Sequence, residues 1–320
     1  MIVTRPLHQS VVIDTAVVHN RSATFSVNLA EPSPAYLWVD GNKEDVHFFI
    51  DSPRIDLSID PTASIQPLIS GSSSSELWFE YKTRQNQLHD ALPDWRIEME
   101  NALHNGDSLT AFRLKHEIDS LLITDQNTIA QMILAHPTVP SSWYLFATSY
   151  FPYAQKQAIF RQLSSFSAYP SFKEISQKIA QKKLGQKAPD FSLPNQTGTN
   201  ITLSTLTNRY ILLDFSIPTV LDCQQRHQEL KQLYAKYYKL GLEIVTISVE
   251  FDKTLRLDAL KDYPLPWIQV QAFMNSSIIQ DKFAIDRMPD NVLLDANRIM
   301  IGRDMTVAEL DAQLNDLLHN

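Results

Sequence analysis

Cysteine is almost absent: Cys223 is the single one in 320 residues. One thiol excludes an intramolecular disulfide, a Cys-x-x-Cys redox pair and any zinc site that needs two or more thiolates. Glycine is nearly as scarce, with seven residues where the usual share is roughly 7%. No two of the seven stand at G-x-G-x-x-G or G-x-x-x-x-G-K-[ST] spacing, which needs glycine so that backbone can approach phosphate closely. Rossmann-type and P-loop nucleotide enzymes are thereby excluded. A basic excess is missing as well. The 28 Lys and Arg against 36 Asp and Glu leave a net charge of −8, without the electrostatic footprint of a nucleic-acid binder. The nine histidines include no H-E-x-x-H or H-x-H pair, so a helix-borne metal site is unsupported and no cofactor is called for. No apolar run reaches the roughly 18 residues of a membrane-spanning helix. Arg5, Pro6, His8 and Gln9 near Met1 are not followed by an apolar signal-peptide core, so the chain as written reads as a soluble acidic protein without an export signal.

What the sequence does hold is enough apolar residues for a buried core, 44% against 20% charged, and three successive textures. Residues 1–70 read as β. Val11 to Val18, Ala23 to Val27, Tyr36 to Val39, Val46 to Asp51 and Ile55 to Ile59 are short β-branched or alternating runs parted by turns, the pattern of a small antiparallel sandwich. From 71 to 183 the spacing turns helical, with breaks at Gly106, His136-Pro137 and Tyr169-Pro170. Ser73 with Glu76 predicts a capping box at the first helix start. From 184 to 320 strands and helices alternate. The unbroken apolar strand Tyr210 to Phe215, a helix over 222–240, the strand Ile244 to Val249 and a helix over 252–261 come first. Trp267 to Val270, a short helix over 276–283, the strands Asn291–Asp295 and Ile299–Gly302, and a last helix opened by a second box, Thr306 with Glu309, complete an open α/β sheet.

This last stretch carries a specific likeness. Gly185-Gln186-Lys187-Ala188-Pro189-Asp190-Phe191-Ser192-Leu193 resembles the G-x-x-A-P-D-F-x-L opening of the TlpA/ResA-like and AhpC/TSA thioredoxin superfamily. Tyr210-Ile211-Leu212-Leu213-Asp214-Phe215 is similar to the strand that leads into that superfamily's active site. Met288-Pro289 followed by Asn291-Val292-Leu293-Leu294-Asp295 resembles the loop with its cis-proline. The β-rich and helical regions ahead of it resemble those that precede such domains in envelope lipoproteins of Gram-negative bacteria. The resemblance therefore implies a thioredoxin-like domain over 184–320 and a place in the periplasm or outer-membrane-anchored envelope. It also implies a first strand ahead of the N-terminal module that the chain lacks, which points to a trimmed or misassigned start at Met1.

The same resemblance exposes a departure. The superfamily's W-C-x-x-C is here Phe215-Ser216-Ile217-Pro218-Thr219-Val220-Leu221-Asp222-Cys223, with Val220 in the attacking position and Cys223 in the resolving one. Ser216 and Thr219 stand for the flanking tryptophans, and Gln228 for the helix-bending proline. Without a second thiol a dithiol cycle is closed to the isolated chain. Asp214 matches the buried acid that assists proton transfer in thioredoxins. His227, four residues after Cys223, shares its helix face and as an imidazolium would support a thiolate, which the charge of Asp222 would oppose. A peroxidase reading fails on spacing, since Pro218 and Thr219 lie five and four residues before Cys223 instead of seven and three; Arg287 would be its arginine. Two functions remain open. One is a redox-inactive binding or accessory module whose groove, between Ser216, Thr219, Val220 and Met288-Pro289, takes a protein or peptide segment. The other is a monothiol oxidoreductase that works through Cys223.

Overall fold

The computed structural model describes residues 2–3, 11–12, 15–38, 45–59, 68–249, 264–272 and 276–319. The chain divides into two compact units, Met1–Ser176 and Gln177–Asn320.

The first unit opens with β1 (Ile2–Val3), β2 (Val11–Val12), β3 (Ser33–Leu37) and β4 (Val46–Ile50), an antiparallel sheet in the order β2-β1-β3-β4. A separate hairpin of β5 (Asp56–Ser58) and β6 (Leu68–Ser70) follows. Its Leu57 and Ile69 pack with Ile55 and Ile59 onto Ala35, Leu37, Val46 and Phe48, because alternation sends those side chains to one face of the β3–β4 pair. That face-to-face contact is the small sandwich. Ala23 to Val27 forms no strand; Phe25 and Leu29 instead lay their side chains against the same apolar cluster, so their alternation records burial and not pairing. The strand expected to end at Val39 stops at Leu37, and Val39 lies outside the described residues.

The helical part consists of α1 (Ser75–His104), α2 (Ser108–Ala135), α3 (Pro140–Thr148), α4 (Tyr153–Phe160) and α5 (Pro170–Gln181). Gly106, at φ +75, makes the turn between α1 and α2, a conformation that β-carbons resist. The capping box expected at α1 does not form. Ser73 Oγ donates to Asp51 Oδ2 at 2.8 Å, and the actual N-cap, Ser74, makes no side-chain cap bond.

The second unit begins with the hairpin β7 (Ser192–Pro194) and β8 (Asn200–Thr202). Its sheet has five strands in the order β11-β10-β9-β12-β13, where β9 is Tyr210–Ser216, β10 Leu242–Ser248, β11 Ile268–Gln271, β12 Asp290–Leu294 and β13 Met300–Arg303. β9, β10 and β11 are parallel; β12 runs antiparallel to β9, and β13 antiparallel to β12, back in the direction of the first three. Every residue of β9 is buried, as a central strand covered on both faces requires. Ile211, Leu213 and Phe215 face one layer with Ile279 and Phe283 of α7 (Ser276–Phe283). Tyr210 and Leu212 face the other, with Leu230, Leu233 and Tyr237 of α6 (Leu221–Tyr237) and Leu310 and Leu314 of α8 (Val307–His319). The expected helix over 252–261 lies outside the described residues.

Candidate functional site

The sequence-predicted residues gather where β9 ends and α6 begins. After Ser216 the chain turns through Ile217, Pro218 and Thr219, and the Val220 amide donates to the Ile217 carbonyl at 2.9 Å. Val220 is the N-cap of α6 in extended conformation, φ −89 and ψ 128, with no side-chain cap bond. Gln224 fastens the turn from the helix side, its Nε2 donating to the Pro218 carbonyl at 2.9 Å. Thr219 is exposed and Val220 is 36% exposed. The helix end that favours an anion, through its free amides and dipole, therefore presents an aliphatic side chain.

Cys223 sits in the first turn of α6 with no exposed surface. Burial pushes its thiol pKa up, and the charges of Asp214 and Asp222 add to the rise; the Ile217 amide, donating to Sγ at 3.4 Å, and the nearby Ser216 hydroxyl offset it only in part. Ser216 Oγ itself is buried without a hydrogen bond of regular geometry, so its influence on the sulfur is that of a dipole and not of a formed bond. A thiol in this setting stays protonated at neutral pH.

His227 does not serve the thiol. Its Nε2 donates to Asp214 Oδ2 at 3.0 Å, and the ring is 3% exposed. Asp214, fully buried on β9, also accepts from Arg226 Nε at 3.3 Å and from the Thr246 hydroxyl at 3.0 Å. Trp267 Nε1 in turn donates to Thr246 Oγ1 at 2.9 Å. Burial alone would raise the Asp214 pKa, but the His227 bond and charge, the Arg226 charge and the Thr246 hydroxyl together hold it below the ordinary carboxylate value. Arg226 also donates to the Met305 carbonyl at 3.2 Å, so the ion cluster pins α6 to the sheet and to the chain just before α8. Sequence reasoning missed Arg226, Thr246 and Trp267. The available signal was Thr246, a polar residue inside the apolar run of β10, in register with Asp214 on the neighbouring strand.

Just before β12, whose Asp290 pairs with Phe215 of β9, the Met288–Pro289 peptide bond is cis, and both residues are half-buried. Met288 and Ile217 pack against the same apolar cluster. Asp290 follows directly, and burial pushes its pKa up to about 6 against the pull of Arg303, whose Nη2 lies 3.8 Å from Oδ2. Arg303 reaches on to the Phe283 and Ala284 carbonyls. Arg287 is exposed. Among the described residues no group of three or more His, Cys, Asp or Glu side chains is placed to hold a metal ion, and no helix is long and apolar enough to cross a membrane.

Comparison with known proteins finds matches at both ends of the chain. Residues 184–296 match the AhpC/TSA family, and residues 2–78 match a domain of unknown function, DUF4369. The chain is similar to the thiol-disulfide oxidoreductase ResA of Bacillus cereus, 21% identical over 155 residues that make up 48% of this chain and 87% of that one. Its ResA counterpart in Oceanobacillus iheyensis is 25% identical over 142 residues, 42% of this chain and 73% of that one. Among solved structures, a thiol-disulfide oxidoreductase from Bacteroides fragilis is 33% identical, with 42% of this chain covering 100% of that one at a TM-score of 0.40.

Proposed function

Because its C-terminal unit is thioredoxin-like, of the TlpA/ResA type, we propose that this chain performs no dithiol redox chemistry and works in the cell envelope as a binding or accessory module. One observation carries the reading: an aliphatic side chain, Val220, occupies the exposed cap of α6 while the sole thiol, Cys223, is sealed beneath that helix. Thiol–disulfide exchange needs an accessible thiolate to attack and a second thiol to resolve the mixed disulfide. The surface left for use comprises Thr219 and Val220 with Met288 and Pro289. Its occupant in this reading is an extended protein or peptide segment that adds to the backbone as a strand would. Envelope placement rests on the resemblance of both units to their counterparts in envelope lipoproteins.

The test is insulin reduction by dithiothreitol, in which the protein is expected to give no acceleration. Robust turnover would overturn the proposal. Val220→Cys restores a thiol at the helix start, where the dipole favours its thiolate, and is expected to gain weak reductase activity. A second reading, a monothiol oxidoreductase that forms mixed disulfides at Cys223, draws on the Ile217 amide directed at Sγ. Alkylation of Cys223 separates the two. Slow, denaturant-dependent reaction supports the module, whereas fast native-state reaction with a midpoint well below about 8.5 supports the monothiol enzyme.

A further inference from the structure

The β3–β4 pair in the first unit has a second face. Alternation places Tyr36 on it, directly across from His47, with ring centroids 4.5 Å apart at 75°. Phe49 lies two residues beyond His47 on the same face, and Trp38, one residue past the end of β3, falls on the side of Tyr36. Phe49 carries the row of rings inward, 5.8 Å from Trp78 of α1 and 6.1 Å from Tyr144 of α3. Trp78 also meets Tyr81 at 5.5 Å and Tyr144 at 5.6 Å. Ring contacts thus join Phe49, Tyr81 and Tyr144 around Trp78, 2% exposed, while half-buried Tyr36 and Trp38, 67% exposed, lie on the Phe49 face of the strand pair.

A purely structural aromatic cluster ties up its polar tips or leaves them in water. This one does neither at its inner end. Trp78 Nε1, Ser75 Oγ, Ser141 Oγ and His47 Nδ1 are buried without a hydrogen-bond partner among the described residues. Ser75 and Trp78 stand three apart on α1 and so share a side of the helix. Ser141, at the start of α3, is brought to the same place by its amide, which donates to Ser74 Oγ at 3.1 Å. The hydroxyls of Tyr36, Tyr81 and Tyr144 are not among these buried unpartnered atoms. They lie close enough to act on one another: burial chiefly, then these neighbours and Asp125, push Tyr81 up to about 12 and raise Tyr144.

Charge nearly cancels here. Burial, then Lys82, lowers the pKa of His47, with Asp45 opposing, so its imidazole is neutral at pH 7. Arg84 and Asp125 neutralise each other at 3.0 Å. A phosphate or carboxylate would meet no net positive field, and a flat aromatic ligand would leave the donors and hydroxyls unmet. A sugar meets both demands, laying its C–H face on exposed rings and offering hydroxyls that donate and accept.

We propose that the first unit binds a neutral carbohydrate at the junction of the β3–β4 pair with the starts of α1 and α3. Trp38 and Tyr36 form the stacking platform, the hydroxyls of Tyr81 and Tyr144 grip the sugar's edge, and Trp78 Nε1, buried beneath them, is met through water. The full chain is titrated with cellobiose, chitobiose and lactose, and separately with inorganic phosphate, by tryptophan fluorescence and by the indole N–H signals in NMR spectra. Saturable binding of at least one of the sugars, with shifts at Trp38 and Trp78 and none with phosphate, is the expected result. Trp38→Ala removes an exposed ring and Tyr81→Phe removes one hydroxyl while keeping the ring; each is expected to weaken binding about tenfold or more, while Arg113→Ala, exposed on α2, leaves it unchanged. Absence of binding by all three sugars, binding that survives both substitutions, or phosphate binding in their place would overturn the proposal.

Discussion

At Asp214 burial and charge oppose each other. The carboxylate is fully buried, and His227, Arg226 and Thr246 together hold its pKa below the ordinary value. A carboxylate depressed in the folded state adds stability at pH values above its unfolded pKa of about 3.9, and loses that contribution as pH falls toward the folded value. Unfolding by urea is therefore expected to become easier below about pH 4. Asp214→Asn should lose about 3–5 kcal/mol at pH 7, because the Arg226 guanidinium is left without its carboxylate in a dry site, and should show less of the acid-side fall. A variant as stable as the parent at pH 7 would mean that the cluster contributes nothing net. Asp214 itself was legible through the resemblance, at the position of the superfamily's buried acid. Thr246 was not, since it meets the carboxylate across strands whose register no local pattern reveals, and Trp267 joins only through Thr246. His227 was legible as a neighbour of Cys223 on the helix face, yet its ring turns to the carboxylate, which offers a charge-assisted bond that a protonated thiol does not.

Two capping boxes of the same pattern had different fates, and the reason lies in what surrounds each helix. At α8 the box closes: the Thr306 amide and hydroxyl donate to Glu309 Oε2 at 2.7 and 2.8 Å, and the Glu309 amide donates back to Thr306 Oγ1 at 3.2 Å. At α1 the Ser73 hydroxyl and the Ser74 amide both go to Asp51 Oδ2, at 2.8 and 2.9 Å, so a carboxylate that follows β4 takes over the cap from a distance of over twenty residues. Thr306→Ala is accordingly expected to lower stability by about 1 kcal/mol, whereas Glu76→Ala should stay within about 0.5 kcal/mol of the parent. Chemical denaturation of the two variants checks both, and a large loss for Glu76→Ala would return that residue to the cap. Helix breaks at Gly106, Pro137 and Pro170 could be read directly, because backbone chemistry at those residues is local. Strand limits in the first unit could not. Phe25 and Leu29 satisfy an apolar cluster without entering a sheet, and alternation alone does not distinguish the two.

At the scale of the molecule, each unit carries its own apolar core, and the opening residues of the AhpC/TSA match contribute to the second. The Gly185 amide donates to the Met300 carbonyl, the Met300 amide to the Gln186 carbonyl and the Ala188 amide to the Arg298 carbonyl, each at 2.8 Å. Residues 185–188 thus cover the open edge of β13, which would otherwise expose a row of unpaired backbone groups. Lys182 adds a side-chain tie, its Nζ 2.6 Å from Asp286 Oδ2 with only 10% of the lysine side chain exposed, next to the turn that leads to Met288-Pro289. Residues 177–320 are therefore expected to fold alone and to unfold in urea as one cooperative transition. A shorter fragment, 189–320, keeps the five-stranded sheet but loses three edge hydrogen bonds and the lysine tie. At roughly 1 kcal/mol for each net hydrogen bond, it should be less stable by about 3 kcal/mol and more prone to associate through the bared strand. Equal midpoints for the two fragments would mean that the edge strand needs no cover, and failure of the longer one to fold would place part of its core outside residues 177–320.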